Sequence, residues 1–193
     1  KKNIRFEKSI LIAIVSIGLS PFFFFFSASG VAVLMNTSLK NYGGDLAIGA
    51  YGILMSMFML ITMFVIGLNQ GLQPIIGYNY GAEIYSRVKA AFYYGIKIAT
   101  VVTSMGFLLG MFFPRLFALA FTSDVQLLAL AENALRISII AFPLVGFQIV
   151  ISGYFQSIGQ AKKSIILSLS RQIIFLIPSI LILPRLLGLN GVW

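Results

Sequence analysis

The 193-residue sequence has no cysteine and no histidine. Disulfide frameworks are therefore excluded, as are most transition-metal sites and any catalytic scheme built on thiolate or imidazole. Charge is scarce too: only 10% of residues are charged, with 5 acids against 14 bases, where soluble domains carry roughly a quarter. So few ionic groups cannot coat an ordinary water-soluble core. What is abundant is apolar surface: 59% hydrophobic residues, 18 Phe beside 1 Trp, and a mean hydropathy of +0.98. The solvent implied is a bilayer. The formal net charge of +9 suggests nucleic acid only until the bases are placed. They punctuate apolar stretches, a pattern set by membrane topology.

A spanning helix needs about 20 mostly apolar residues, and five such stretches occur, at about 9–39, 46–70, 90–113, 127–157 and 164–183. The expected fold is all-α and polytopic, a single transmembrane domain over residues 1–193, and Gly191-Val192-Trp193 looks like the start of a sixth helix. The first stretch is too long for the apolar core of a signal peptide, about 7 to 15 residues, and no small-residue cleavage site ends it. A start at Lys1 rather than Met and a stop at Trp193 lead us to expect a piece of a longer protein. The connectors are short. Asn41-Tyr42-Gly43-Gly44 reads as a turn, Gln73-Pro74 through Gly81-Ala82 as a longer polar link, and Gly159 to Lys163 joins the fourth and fifth helices. Ser123 or Asp124 is the expected N-cap of the fourth.

Lys and Arg in the connectors set orientation. One side carries eight of them, namely Lys1, Lys2, Arg5, Lys8, Arg87, Lys89, Lys162 and Lys163; the other carries three, Lys40, Arg115 and Arg185. The N-terminus is therefore expected in the cytoplasm of a cell-membrane protein.

No catalytic set is present. Four acids sit in connectors or at helix ends, and Glu132 lies in the first turns of the fourth helix, so no carboxylate pair is placed for acid–base work. We expect no enzyme activity, no metal and no cofactor. Arg171, two or three turns into the fifth helix, costs roughly 2.5 to 3.5 kcal/mol on insertion scales. It either faces a water-filled cavity, pairs with an acid, or snorkels to the headgroups. Lys97 and Arg136 lie nearer helix ends and are expected to snorkel. Gln148, Ser152, Gln156 and Gly159 recur at steps of three or four and share one face of the fourth helix. That face is either glue between helices or the lining of a cavity, and Ile139 and Val150 point the opposite way, to lipid or a neighbouring helix. Met55, Met59 and Met63 line one face of the second helix towards Gln70. Methionine is pliable, so the row suits ordinary packing or a substrate wall of varied shape. Pro21, Gly18 and Gly30 in the first helix, Pro143 in the fourth and Pro178 in the fifth are candidate kinks.

The stretch from Gly67-Leu68-Asn69-Gln70-Gly71-Leu72-Gln73-Pro74 through Gly81-Ala82 is followed by Arg87-Val88-Lys89. Phe155-Gln156-Ser157-Ile158-Gly159-Gln160-Ala161-Lys162-Lys163-Ser164 is followed by Ser168-Leu169-Ser170-Arg171-Gln172. Both, in this order and spacing, resemble the multidrug and toxic compound extrusion (MATE) transporters, as does Asn36 through Tyr42-Gly43-Gly44-Asp45. The resemblance implies helices seven to eleven of a twelve-helix, two-lobe antiporter: the C-terminal lobe, with the N-terminal lobe and the last helix absent. It implies efflux of drugs, typically cationic amphiphiles, in exchange for H+ or Na+, with no nucleic acid partner. One branch of the family carries a cation-binding acid in the first helix of this lobe. Here that stretch is Phe26-Ser27-Ala28-Ser29-Gly30, with Gln148 and Ser152 in the fourth helix, so the coupling acid is expected in the N-terminal lobe. Gln148, Ser152, Gln156, Arg171, Met55, Met59 and Gln70 are the candidate substrate contacts. A flippase for lipid-linked oligosaccharides, of related architecture, and a non-transporting scaffold are the alternatives. The first should show a more cationic cavity than Arg171 alone offers, and polar residues at depth argue against the second.

Overall fold

A computed structural model describes residues 7–193, the side chain of Ala13 excepted. Lys1, Lys2 and Arg5 of the N-terminal basic cluster lie outside the described residues. Helical hydrogen bonding runs through Lys8–Gly81, but Gly44 within it has φ 66 and ψ −160. A left-handed φ with extended ψ is open essentially to glycine alone. At 1.5 Å per residue an unbroken rod of that length would reach about 110 Å, far beyond a hydrocarbon core of about 30 Å. It folds back instead. Ser20 meets Ser164, while Gln73 meets Gln156 and Gly77 meets Ser157, so residues 20 and 77 share one end of the bundle and Gly44 marks the other. The two arms are α1 (8–43) and α2 (45–81).

The other elements are α3 (Tyr85–Phe112), a short α4 (Pro114–Leu119), α5 (Val125–Ser157) and α6 (161–187), which ends in a 3-10 turn, Gly188–Gly191. With Lys8–Gly81 divided at Gly44, five helices among the described residues are long and apolar enough to cross a membrane, as the sequence predicts. Two boundaries need correction. The expected end of the second helix at residue 70 is wrong, because α2 continues through Pro74 to Gly81 and the connector shrinks to residues 82–84. Packing overrides the local breakers: Pro74 lies on the exposed side, and Gly77 lets α2 approach so closely that a Cβ there would stand 3.2 Å from the Ser157 carbonyl oxygen. The predicted turn over residues 41–44 narrows to Gly44 itself, the only one of the four with non-helical angles.

Asp124 is the N-cap of α5, its Oδ1 accepting from the backbone N–H of Gln126 and Leu127 at 2.8 and 2.9 Å. Two helices depart from α geometry just ahead of a proline. In α5 a 3-10 turn, Ile139–Ala141, precedes Pro143; in α6 a π-helical stretch, Ser170–Leu176, precedes Pro178. Pro21, by contrast, is absorbed into a continuous α1.

The core is a seam where α2, α3 and α5 meet. Leu54, Met57, Leu135, Ile139 and Phe142 form one buried cluster, and Val65, Ala99 and Val150 form another. Lipid tails are as apolar as leucine, so close fit must hold such helices together in place of the hydrophobic effect. Small residues supply it. Gly106 on α3 faces Ile61, and Gly146 on α5 sits against the Ala99 carbonyl and Thr103.

Candidate functional site

The polar face of α5 is engaged inside the bundle, against α6 and α2. Gln148 Nε2 donates to the Leu167 carbonyl at 3.1 Å. Ser152 Oγ lies 2.7 Å from Ser168 Oγ and 3.1 Å from Ser164 Oγ. Ser164 donates to the Ser152 carbonyl at 3.0 Å and also meets Ser20 Oγ at 2.8 Å. Since the Ser164 proton is committed to that carbonyl, Ser20 must donate to Ser164. The remaining bonds then run Ser168 to Ser152 to Ser164, and every hydroxyl is satisfied without water. This knot ties α1, α5 and α6 together. One turn further on, Gln73 Nε2 of α2 donates to Gln156 Oε1 at 2.9 Å, and the Asn69 amide fills the notch at Gly153, where a Cβ would collide with it. Amide and hydroxyl pairs of this kind satisfy groups that hydrocarbon cannot.

Val150 and Ile139, placed opposite the stripe by helical geometry, are 1% and 0% exposed and pack towards α2 and α3, so a neighbouring helix rather than lipid receives them. Arg171 sits inside the π stretch of α6. Its guanidinium carbon lies 5.9 Å from the ring centroid of Phe24 on α1, within cation–π range, and its buried Nε has no hydrogen-bond partner among the described residues. The next residue, Gln172, is buried and donates to the Phe24 carbonyl at 3.4 Å. Sequence periodicity missed Gln172 and Ser20; the Ser168-Leu169-Ser170-Arg171-Gln172 string was the available signal for the first, and nothing pointed to the second. Of the other cations, Arg136 pairs with Glu132 at 2.9 Å and Lys97 is exposed.

The second group of candidates lies apart from this knot. Met55, Met59 and Met63 are 36%, 60% and 57% exposed, and Gln70 is exposed on the same helix. Leu60, Met63, Phe64, Gly67 and Leu68 line an open apolar depression there. The molecule therefore has an internally bonded polar seam behind an open, methionine-rich wall on α2.

A bundle of long apolar helices, two of them broken ahead of a proline, around a hydrogen-bonded polar seam is the architecture of an integral membrane protein. The chain belongs to the MatE family, whose signature matches residues 21–181. It is 27% identical over 192 residues to multidrug export protein MepA of Staphylococcus aureus (strain NCTC 8325 / PS 47), covering 96% of this chain and 41% of that protein. Among solved structures it is similar to the MATE multidrug transporter DinF-BH, at 39% identity and a TM-score of 0.85, covering 100% of this chain and 43% of that one. An outward-facing conformation of a multidrug resistance MATE family transporter of the MOP superfamily matches at 26% identity and a TM-score of 0.91, over 100% of this chain and 44% of that one. The chain thus spans about two fifths of the length of the relatives it matches.

Proposed function

We propose that these helices form the C-terminal lobe of a multidrug efflux antiporter of the cell membrane, which expels small amphiphilic, mostly cationic compounds in exchange for H+ or Na+. In this reading the N-terminus faces the cytoplasm, a second lobe stands opposite, and access alternates as one lobe rocks against the other around a shared site. The coupling acid belongs to that second lobe.

The observation that carries the reading is the exposed wall of α2. An amide at Gln70 on an otherwise apolar surface is costly against lipid and tolerated where it meets water or protein, and the methionines beside it adapt to varied apolar shapes. Met55, Met59 and Gln70 therefore face the drug across the cavity. Gln148, Ser152 and Gln156, bonded within the lobe, hold α5 and α6 behind that wall, and Arg171 adds a fixed cation at their rear.

The test uses the full-length protein. Met59→Cys and Gln70→Cys should react with a membrane-impermeant thiol reagent, and bound drug should protect them, while Ser164→Cys stays inert. Drug accumulation in expressing cells should rise when an uncoupler or a sodium ionophore is added. Labelling of Ser164→Cys in preference to Met59→Cys, or accumulation indifferent both to the uncoupler and to a sodium ionophore, would refute the proposal.

A further inference from the structure

Arg185 is one of the three bases on the side of the bundle that carries few, so the charge asymmetry between the two sides does not account for it. It lies in the last turn of α6, exposed, and no ion pair to it occurs among the described residues. It borders a cleft of about 220 Å³ between α1 and α6.

Both helices run towards the same end of the bundle, so the cleft wall changes character with height. Leu34 of α1 faces Ile180 and Leu181 of α6 at the deep end. Asn41, Tyr42 and Arg185 stand at the rim, about 12 Å higher along α1 at 1.5 Å per residue. Above the rim the helices close again, since Leu189 packs where a Gly43 side chain would be. The cleft is thus shut at its top, apolar at its foot and hydrogen-bonding from Thr37 and Ser38 up to the rim, where one guanidinium at the end of a spanning helix has no ion pair among the described residues. Guanidinium forks bind phosphate oxygens bidentately.

We propose that this cleft holds one phospholipid of the leaflet on that side, its phosphate on Arg185 and Tyr42 and the upper part of one acyl chain against Leu34, Ile180 and Leu181. The assignment is independent of drug transport. It would persist if the lobe exported nothing.

Native mass spectrometry of the detergent-solubilised full-length protein, titrated with phosphatidylglycerol, tests it. One lipid should survive activation that strips the others. Its retention should fall about tenfold in Arg185→Gln, the loss expected for one charge-assisted contact, and fall less in Arg185→Lys, which keeps the charge but loses the fork. Leu181→Trp, which fills the cleft and leaves the charge, should lose it as well. Equal retention in Arg185→Gln and the parent would overturn the proposal, with the role of Arg185 reduced to balancing the α6 helix dipole. Release of the lipid by millimolar inorganic phosphate would overturn it in favour of a simple ion site.

Discussion

Replacing Gly146 by alanine probes a close contact of α5 with the backbone of α3. The added Cβ would stand 2.7 Å from the Ala99 carbonyl oxygen, 2.7 Å from Thr103 Oγ1 and 2.9 Å from Thr103 Cγ2, where ordinary contact begins near 3.4 Å. One of those atoms is backbone. Thr103 is itself held, being fully buried and donating to the Ala99 carbonyl at 2.9 Å. Neither can swing aside, so α5 must retreat from α3 by several tenths of an ångström. Overpacking of this severity costs about 3 kcal/mol, and alanine returns about 1 kcal/mol of helix propensity. The net loss of about 2 kcal/mol would lower Tm by about 4 to 8 °C in a domain of about 200 residues, and by about 2 to 3 °C in a full-length protein more than twice as long. Thermal unfolding of the full-length protein in detergent, read as loss of the monodisperse species, measures it. Gly67→Ala is the control, because nothing lies within 4 Å of the Cβ it would add, and its Tm should hold or rise. Gly146→Ala/Thr103→Ala removes two of the three colliding atoms and should be less destabilised than the sum of the single changes. A Gly146→Ala protein melting at or above the parent would show that helix proximity does not hold this lobe together.

Three further outcomes follow from the same contacts. Ser164→Ala removes the acceptor of Ser20 and a partner of Ser152, and should cost about 1 to 2 kcal/mol; Ser20→Ala/Ser164→Ala should cost less than the two singles combined, by a double-mutant cycle on thermal stability. Asp124→Ala should lose about 1 kcal/mol by the same measurement, whereas Asp124→Asn stays near the parent, since the cap needs only an oxygen acceptor. Reporter fusions at residues 82–84 and 158–160 should report cytoplasm, and a fusion at Gly44 the outside; an external signal from either of the first two would reverse the proposed orientation.

The helix count was legible because it rests on unbroken apolar length, which few other structures can accommodate. The Asp124 cap was legible for the same kind of reason, a local rule with a local cause. The end of α2 was not. Gly, Pro and Asn between Gln73 and Gly81 are turn formers in isolation, and they stay helical because Gly77 and Gln73 dock against Ser157 and Gln156, residues some eighty positions away. The polar face of α5 was visible as a periodicity, but periodicity names a face and not its occupant. Whether it meets water or α6 depends on Ser164, Ser168 and Leu167, whose own spacing carries no distinct signal. The π stretch around Arg171 was hidden too, as Pro178 marks a disturbance without saying which helical geometry absorbs it.

The single-residue reversal at Gly44 bears on how the lobe is made. A ribosome adding about 5 to 20 residues per second completes the stretch from Lys8 to Gly81 in about 4 to 15 s, and α1 leaves it already tethered to α2. With no loop between them, the first arm cannot drift from the second in the bilayer. The two spans enter as one hairpin, and α1, whose face of exposed phenylalanines gives it little grip of its own, waits at close range until Ser164 and Gln172 are synthesised. Lengthening that turn by even a few glycines would leave every later contact intact on paper. It would also turn an assembly step that is now intramolecular and immediate into a search, with insertion efficiency during synthesis as the first property to suffer.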